Sequence, residues 1–492
     1  MNIPDKNVRL VTISFPGRDL NLAPVSLKSY ALKDKNIAEK YSINISQYEI
    51  NTPNDVIFLD LFNNKADIYG FTAYVWNIDK ILQISKRLKS VYSTSLILLG
   101  GPEVTGIGEK LLEKHKYLDF IFVGEGEYAF KKFLEDSDLN SVPGLVYRNN
   151  GSIYSNPEQS MESLNDLSLP YETKEYRDYL DGSTTPVRAA IETSRGCPFA
   201  CAYCTWGQRK MRYFALQKLK PAFIYLFNHP KVKTIYITDS NPFLKKRRTK
   251  ELLEFIIEAN VHKKLVTFEA SPEYINDEQT LDLIMKLGNE EFAFGVQSTS
   301  PQVLDQIHRR FDSNLYKKNI RLIREKNSQV EMWFSLIIGL PGDTYNQFLE
   351  SVDFVLNLSP TGIYFHELLC LPGSALHKNP KNYGIEYQDE APHKVTKNNT
   401  FPKNEYNSAK AFAYFVYLIH RSGLSDRLSE FNKNKRKNKR LVDIYCDFHL
   451  FLNKELDILE GNQIQNVTSW FFEQKATNFL KDPSNKYRLN HI

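Results

Sequence analysis

Cys197, Cys201 and Cys204 lie in the segment Arg195-Gly-Cys-Pro-Phe-Ala-Cys-Ala-Tyr-Cys-Thr-Trp-Gly207, spaced C-x3-C-x2-C. The chain has five cysteines in all, so three within eight residues point to a shared task. A short loop with this spacing aims three thiolates at one point. A cubane 4Fe–4S cluster usually takes four cysteines. Three leave one iron open for an exchangeable ligand, as an open position does in a catalytic metal site. A structural zinc site and buried free thiols are the other readings. Zinc needs a fourth ligand, and no Cys or His follows at finger spacing. Cys370 and Cys446 stand alone and read as small buried apolar residues.

A cysteine loop needs a scaffold, and the flanking sequence supplies one. Six strand candidates follow one another at 189–193, 234–238, 265–270, 292–297, 332–338 and 362–369, separated by helical patterns. Six β-α units over this length fit a partial barrel of parallel strands, with chemistry gathered at the carboxyl ends. The cysteine loop follows the first strand. The other strand ends carry Asp239-Ser-Asn-Pro-Phe243, Phe268-Glu-Ala-Ser-Pro-Glu273, Gly295-Val-Gln-Ser298, Gly339-Leu-Pro-Gly-Asp343 and Leu371-Pro-Gly-Ser374.

The cysteine spacing, with Gly295-Val-Gln-Ser298, Val303-Leu-Asp-Gln-Ile-His-Arg-Arg310 and Gly339-Leu-Pro-Gly-Asp343, resembles the radical S-adenosylmethionine (SAM) enzymes. The resemblance implies that Cys197, Cys201 and Cys204 hold the cluster and that SAM chelates its open iron. It further implies that Tyr203 lies near the adenine and that Glu269, Gln297 and Ser298 contact the ribose or methionine end. Asp239 then stands near the SAM amino group and Arg310 near its carboxylate. Thr205-Trp-Gly207 resembles the Asp-Trp-Gly of a cobalamin-dependent subgroup, with Thr205 in place of the Asp.

Ahead of this core, residues 1–140 alternate strand and helix. Strand candidates are 8–14, 43–50, 68–74, 95–101 and 120–123, with helical patterns near 25–39, 53–64, 77–91, 103–114 and 126–136. Five such units predict a doubly wound, flavodoxin-like parallel sheet with ligands beyond the strand ends. The loops there are Ser14-Phe-Pro-Gly-Arg-Asp19, Thr72-Ala-Tyr-Val-Trp76, Gly100-Gly-Pro-Glu-Val-Thr105 and Gly124-Glu-Gly-Glu127. None is a GxGxxG fingerprint, which disfavours a nicotinamide cofactor. A flavodoxin-like domain with no ligand is the plain alternative. The set resembles the cobalamin-binding domain that precedes many radical SAM cores. That resemblance implies contacts from Thr72, Ala73, Gly100, Gly101, Pro102, Glu103, Gly124 and Gly126. There is no Asp-x-His-x-x-Gly, and the first His is His115, so cobalt is expected to lack a histidine on its lower face.

The expected organisation is therefore α/β. A cobalamin-binding-like domain spans 1–140, a hairpin and linker 141–184, the radical SAM core 185–385 and a mostly helical extension 386–492. Residues 145–154 read as a hairpin with Asn-Gly in its turn, and 155–184 as a polar linker. Helices are expected at 409–418, 444–458 and around Ser469-Trp-Phe-Phe-Glu473. Tyr364, His366 and Glu367, near the sixth strand end, are pocket candidates.

Composition narrows the partners. A net charge of +5 is small for 492 residues and does not imply nucleic-acid binding. The basic run 432–440 reads as a solvated face. The N-terminus has no apolar signal segment, and no apolar run reaches the ~18 residues of a membrane span. Few cysteines and an oxygen-labile cluster suit a reducing cytoplasm.

The resemblance as a whole implies a cobalamin-dependent radical SAM methyltransferase. One-electron cleavage of SAM would give a 5′-deoxyadenosyl radical that takes hydrogen from an unactivated carbon. Methylcobalamin would then supply the methyl group to a small-molecule or natural-product substrate. A low-potential donor such as flavodoxin or ferredoxin would supply the electron. Cyclisation, rearrangement or epimerisation without methyl transfer is the alternative within the family. A non-catalytic cluster-bearing binding protein is the alternative outside it.

Overall fold

The computed structural model describes residues 5–456 apart from 17–19, 136–137, 207–208, 276, 289–290, 422, 424 and 426–439. The basic run 432–439, the end of the Ser14–Asp19 loop and the helix expected around Ser469–Glu473 lie outside the described residues.

The first sheet contains β1 (Lys6–Ser14), β2 (Tyr41–Glu49), β3 (Ile68–Thr72), β4 (Leu96–Gly100), β5 (Phe120–Phe122), β6 (Leu145–Asn149) and β7 (Ser152–Ser155), in the order β2-β1-β3-β4-β5-β6-β7. β1 to β5 are parallel, with Val8 opposite Ile68, Ile68 opposite Leu96 and Leu98 opposite Phe120. Both faces are covered, so the strands read as near-continuous apolar runs such as Leu96-Ile-Leu-Leu-Gly100. One helical pattern expected at 25–39 is broken into Leu22–Ala31 and Lys35–Lys40. Asp34 splits them, its carboxylate capping the amides of Asn36 and Ile37. The hairpin β6–β7 extends the sheet antiparallel, Phe120 pairing with Tyr147.

The second sheet is a six-stranded parallel partial barrel: β8 (Val187–Ile191), then β11 (Val232–Ile237), β12 (Leu265–Ala270), β13 (Glu291–Gln297), β14 (Glu331–Ile338) and β15 (Gly362–Glu367), neighbours in sequence order. Between β8 and β11 comes a two-stranded ribbon, β9 (Ser194–Cys197) and β10 (Arg209–Tyr213). Phe292, Phe294, Met332 and Phe334 alternate onto the outer face and are buried under the helices.

The segment expected to be a polar linker is packed rather than solvated. Leu164, Leu167, Leu169, Tyr171, Tyr176 and Leu180 are buried in the same core as the barrel, within two 3-10 turns and the helix Lys174–Gly182. Its apolar residues are spaced singly among polar ones, which hides them from a composition reading. After the barrel, β16 (Ile385–Tyr387) and β17 (Val395–Asn398) form a hairpin. Helices Lys403–Arg421 and Leu441–Leu456 follow, and Phe412, Phe415, Val442 and Tyr445 join the barrel core. Among the described residues no helix is long and apolar enough to cross a membrane.

Candidate active site

Cys197 ends β9 and is buried; Cys201 and Cys204 are half-buried in the loop that follows. Gly196 has φ +106°, and a Cβ there would stand 2.4 Å from the Lys210 carbonyl, so only glycine lets β10 cross so closely. The loop is pinned at its centre. Ala202 donates its amide to the Ile307 carbonyl at 2.9 Å and accepts from the Leu376 amide at 3.0 Å. Its methyl is buried among Val303, Ile307, Leu340, Leu368 and Cys370. Burial pushes the Cys370 thiol up to about 12, in keeping with a packing role.

Asp239, expected to meet the SAM amino group, does something else. Its buried carboxylate accepts from the amide and hydroxyl of Thr193 at 2.8 and 2.6 Å, and from those of Ser194 at 3.0 and 2.6 Å. Four donors from the chain itself occupy the carboxylate. It fixes the turn that launches β9 and the cysteine loop. Burial pushes this carboxyl above its ordinary range, against the pull of those donors.

Of the two arginines at 309 and 310, only the first meets the cysteine loop. Arg310 is exposed. Its neighbour Arg309 turns in, 4.0 Å from Cys201 Sγ, 3.4 Å from the Tyr203 hydroxyl and 2.7 Å from the Gly295 carbonyl. Burial alone would lower the Arg309 guanidinium, but Tyr203 and Cys201 outweigh it and hold it above its usual value. The Arg309–Arg310 pair was legible in sequence; which of the two faces inward depends on the turn at His308, at φ +53°. Gln297 sits at φ +70°, its Oε1 buried without a partner, with Nε2 3.4 Å from Ser335 Oγ. Ser298 is buried, and its hydroxyl accepts from the Ser300 amide. Glu269 faces the barrel lumen, 3.5 Å from the Tyr236 hydroxyl, its carboxyl raised by burial.

Among the described residues no three His, Cys, Asp or Glu side chains are grouped as a single-ion site. Three thiols on one short loop are the donor type that holds an iron–sulfur cluster. Thiolates that each hold a different iron of a cubane stand further apart than thiolates around one ion. Arg309 beside Cys201, and the orphaned Gln297 Oε1 at the end of β13, offer partners to an anionic cluster and a polar ligand.

Above the cysteine loop lies a cavity of about 630 Å³, walled by both sheets. From the first sheet come Phe15, Tyr74, Trp76, Gly101, Pro102 and Gly124. Tyr74 and Trp76 stack at 4.4 Å, and Phe15 meets Trp76 at 5.5 Å. Buried Asn77 holds this loop: its Oδ1 accepts from the Tyr74 amide, and its Nδ2 donates to the carbonyls of Ile13 and Thr72. No histidine lines the cavity among the described residues. An aromatic wall beside backbone stripped of side chains fits the flat face of a corrin.

Of the residues expected to touch cobalamin, Gly101, Pro102 and Gly124 line the cavity. Thr72, Ala73 and Gly100 stand behind it as strand-end backbone; the Ala73 amide donates to the Gly100 carbonyl at 2.7 Å. Gly126 faces away, 2.9 Å from a Leu27 methyl at an added Cβ, and lets its helix pack closely. Glu103 is buried and paired with His393 at 2.7 Å, tying the first domain to the β16–β17 hairpin region. These two are corrected as cavity residues: a sequence shows that a side chain follows a strand, not which way it turns. Gly101 is the exacting position. It holds φ +117° and ψ 176°, with an added Cβ 2.5 Å from the Ala73 carbonyl. Gly101→Ala is expected to cost about 1–3 kcal/mol and to lower hydroxocobalamin retention through gel filtration, whereas Gly100→Ala, with 3.8 Å of room, is expected to retain it. Equal retention by both variants would count against this cradle.

A family model described as the Radical SAM superfamily matches residues 191–355, and one for the B12 binding domain matches residues 35–134. The chain contains a radical SAM domain. It carries a B12-binding domain ahead of its radical SAM domain, and the pair implies a 4Fe–4S cluster, SAM and cobalamin as cofactors. This radical SAM chain is 25% identical over 450 residues to the cobalamin-dependent radical SAM methyltransferase TokK of Streptomyces tokunonensis, covering 82% of this chain and 64% of that one. It thus spans slightly less than two thirds of that relative's length. Its fold is similar to that of the cobalamin-dependent S-adenosylmethionine radical enzyme OxsB with aqua-cobalamin bound, at TM-score 0.68 and 16% identity over 98% of this chain and 76% of that chain. It is also similar to the radical SAM methyltransferase TsrM from Kitasatospora setae with cobalamin and a 4Fe–4S cluster bound, at TM-score 0.59 and 16% identity over 78% of each.

Proposed function

We propose that this chain is a cobalamin-dependent radical SAM methyltransferase acting on an unactivated carbon of a small molecule. One observation carries the reading: a single cavity is walled by the B12-domain loops on one side and by the cysteine strand and barrel lumen on the other. The similarity to a cobalamin-dependent methyltransferase over most of the chain supports it.

In this reading Cys197, Cys201 and Cys204 ligate the cluster, and Arg309 balances part of its negative charge. Tyr203, Glu269, Gln297 and Ser298 bind SAM, and Arg310 serves its carboxylate from the exposed side. Gly101, Pro102, Gly124, Tyr74 and Trp76 seat the corrin. When bound, these cofactors supply an organic radical and a transferable methyl group, and the protein contributes orientation and exclusion of water. Asp239 contributes at one remove, by fixing the strand that bears Cys197. The functional units follow 1–140, 141–184, 185–385 and 386–492. A low-potential donor of the flavodoxin or ferredoxin kind supplies electrons in the cytoplasm.

The test is product stoichiometry. With reductant and a methyl acceptor, each methylated product is expected with one S-adenosylhomocysteine and one 5′-deoxyadenosine, since one SAM supplies the radical and another the methyl. SAM with a trideuterated methyl should pass all three deuteriums to the product. Formation of 5′-deoxyadenosine with product but without S-adenosylhomocysteine would replace methyl transfer by cyclisation, rearrangement or epimerisation. Absence of 5′-deoxyadenosine under every condition would leave a non-catalytic binding protein.

A further inference from the structure

The cavity does not end at the cysteine loop. It continues into the barrel lumen, where Arg188, Ala190, Tyr236 and Thr238 line it. Strand alternation decides this. Val187, Ala189 and Ile191 are buried in the outer core, so Arg188, Ala190 and Glu192 face inward. On the neighbouring strands Tyr236 stands beside Ala190 and Thr267.

Arg188 is an unusual occupant of such a lumen. Its guanidinium lies 4.2 Å over the Tyr236 ring and reaches Thr267 Oγ1 at 3.5 Å. Among the described residues it forms no ion pair. The other charges along the cavity wall are matched: Glu125, Glu127 and Glu192 pair with Arg195 or Arg212, and Arg209 with Glu158. Glu269 shares the lumen, its carboxyl raised by burial against the pull of Arg188, and the two side chains form no ion pair. Burial likewise lowers His366, which favours its neutral form. Among the described residues Arg188 is therefore the one guanidinium of the cavity wall with no carboxylate at ion-pair distance. The Tyr236 ring lies under Arg188, and Phe15, Tyr74 and Trp76 are the aromatic residues of the same cavity on the side of the first sheet. A guanidinium has five donors in a planar fork suited to an oxyanion, and most of these remain unused here.

We propose that Arg188 anchors an oxyanion group carried by the substrate of this enzyme, on a molecule otherwise flat and apolar enough to lie along the Tyr236 ring. The proposal rests on the methyltransferase reading above and names the substrate class for it. β8 rises ~13 Å from Arg188 to Glu192. An anion held at Arg188 therefore places the far end of a drug-sized molecule beside the cysteine loop, where the cavity meets the B12 domain.

The test uses the full chain with cluster and cobalamin loaded, so that probes reach the lumen and not the corrin site. The probes are 8-anilinonaphthalene-1-sulfonate, a flat aromatic oxyanion, and its uncharged relative N-phenyl-1-naphthylamine. Arg188→Gln is expected to weaken the sulfonate at least about tenfold and to leave the neutral probe within about twofold. Arg188→Lys should fall between, because it keeps the charge and loses the fork. Iron content and retained cobalamin are measured on every preparation. Unchanged sulfonate affinity in Arg188→Gln, parallel loss of both probes, or loss of cofactors in that variant would each overturn the proposal. Failure of the methyltransferase reading shows separately, as wild-type protein that holds neither cofactor.

Discussion

Replacing Cys197, Cys201 and Cys204 together by Ala is expected to take anaerobically reconstituted protein from about four iron atoms per chain to background. The iron–sulfur absorption and reductive SAM cleavage should vanish with it. The scaffold should survive, because Ala202 and not the thiols pins the loop, through its two backbone hydrogen bonds and its buried methyl. Circular dichroism of the triple variant should therefore match wild type. Cys370→Ser is the control. Cys370 is fully buried beneath the loop and its thiol is pushed up by burial, so its loss should disturb packing and leave iron content alone. Iron retained by the triple variant at wild-type level would remove the basis of the radical SAM reading of the loop.

Arg195→Met should produce the next largest effect, and through structure. Arg195 lies two residues before Cys197 and gathers carboxylates from both domains. Its guanidinium donates to Glu127 at 3.0 and 3.2 Å and to Glu192 at 2.8 and 2.9 Å, and stands 3.6 Å from Glu125. Arg212 completes the network by pairing with Glu125 and donating to the Met161 carbonyl at 2.6 Å. Burial would lower the Arg195 guanidinium, but Glu127 and Glu192 outweigh it and hold it well above its usual value. Removing it leaves Glu127, whose side chain is 8% exposed, without its partner. Breaking a buried pair in this way costs about 3–5 kcal/mol, and solvent reaching the 20%-exposed Arg195 side chain places this case at the low end. The thermal midpoint should fall by several degrees, and hydroxocobalamin retention and iron content should fall together, because the network joins the B12-domain loop to the cysteine strand. The triple variant Arg195→Met, Glu127→Gln, Glu192→Gln should recover most of the midpoint, since no buried charge is then unpaired. A wild-type midpoint and wild-type cobalamin retention in Arg195→Met would show that the network is dispensable.

The same loop illustrates how far sequence reading reached. Gly124-Glu-Gly-Glu127 marks a ligand-facing strand end by its position, and Gly124 does line the cavity. The two glutamates were invisible as a clamp because their partners, Arg195 and Arg212, come 68 to 87 residues later. The aromatic wall has the same history. Tyr74 and Trp76 lie in a loop that the strand pattern singles out, yet their stacking depends on Asn77 bonding back to β1, 64 residues earlier. Asp239 stands at a strand end as its motif requires, and only the approach of Thr193 and Ser194 turns it from a ligand contact into a structural one.

By itself the sequence determined what is local and periodic. Cysteine spacing, the alternation of strand and helix, and the polar residues at strand ends follow from short-range geometry, so the two parallel α/β sheets and the order of the two domains were legible. Tertiary structure decided what depends on direction and distance. It chose Arg309 over Arg310 to face Cys201, turned Gly126 toward Leu27 and Glu103 toward His393, and buried the supposed linker. A side chain's heading is set by one or two backbone torsions, as at His308 with φ +53°, and by partners far along the chain. Neither is encoded in the spacing of residue types.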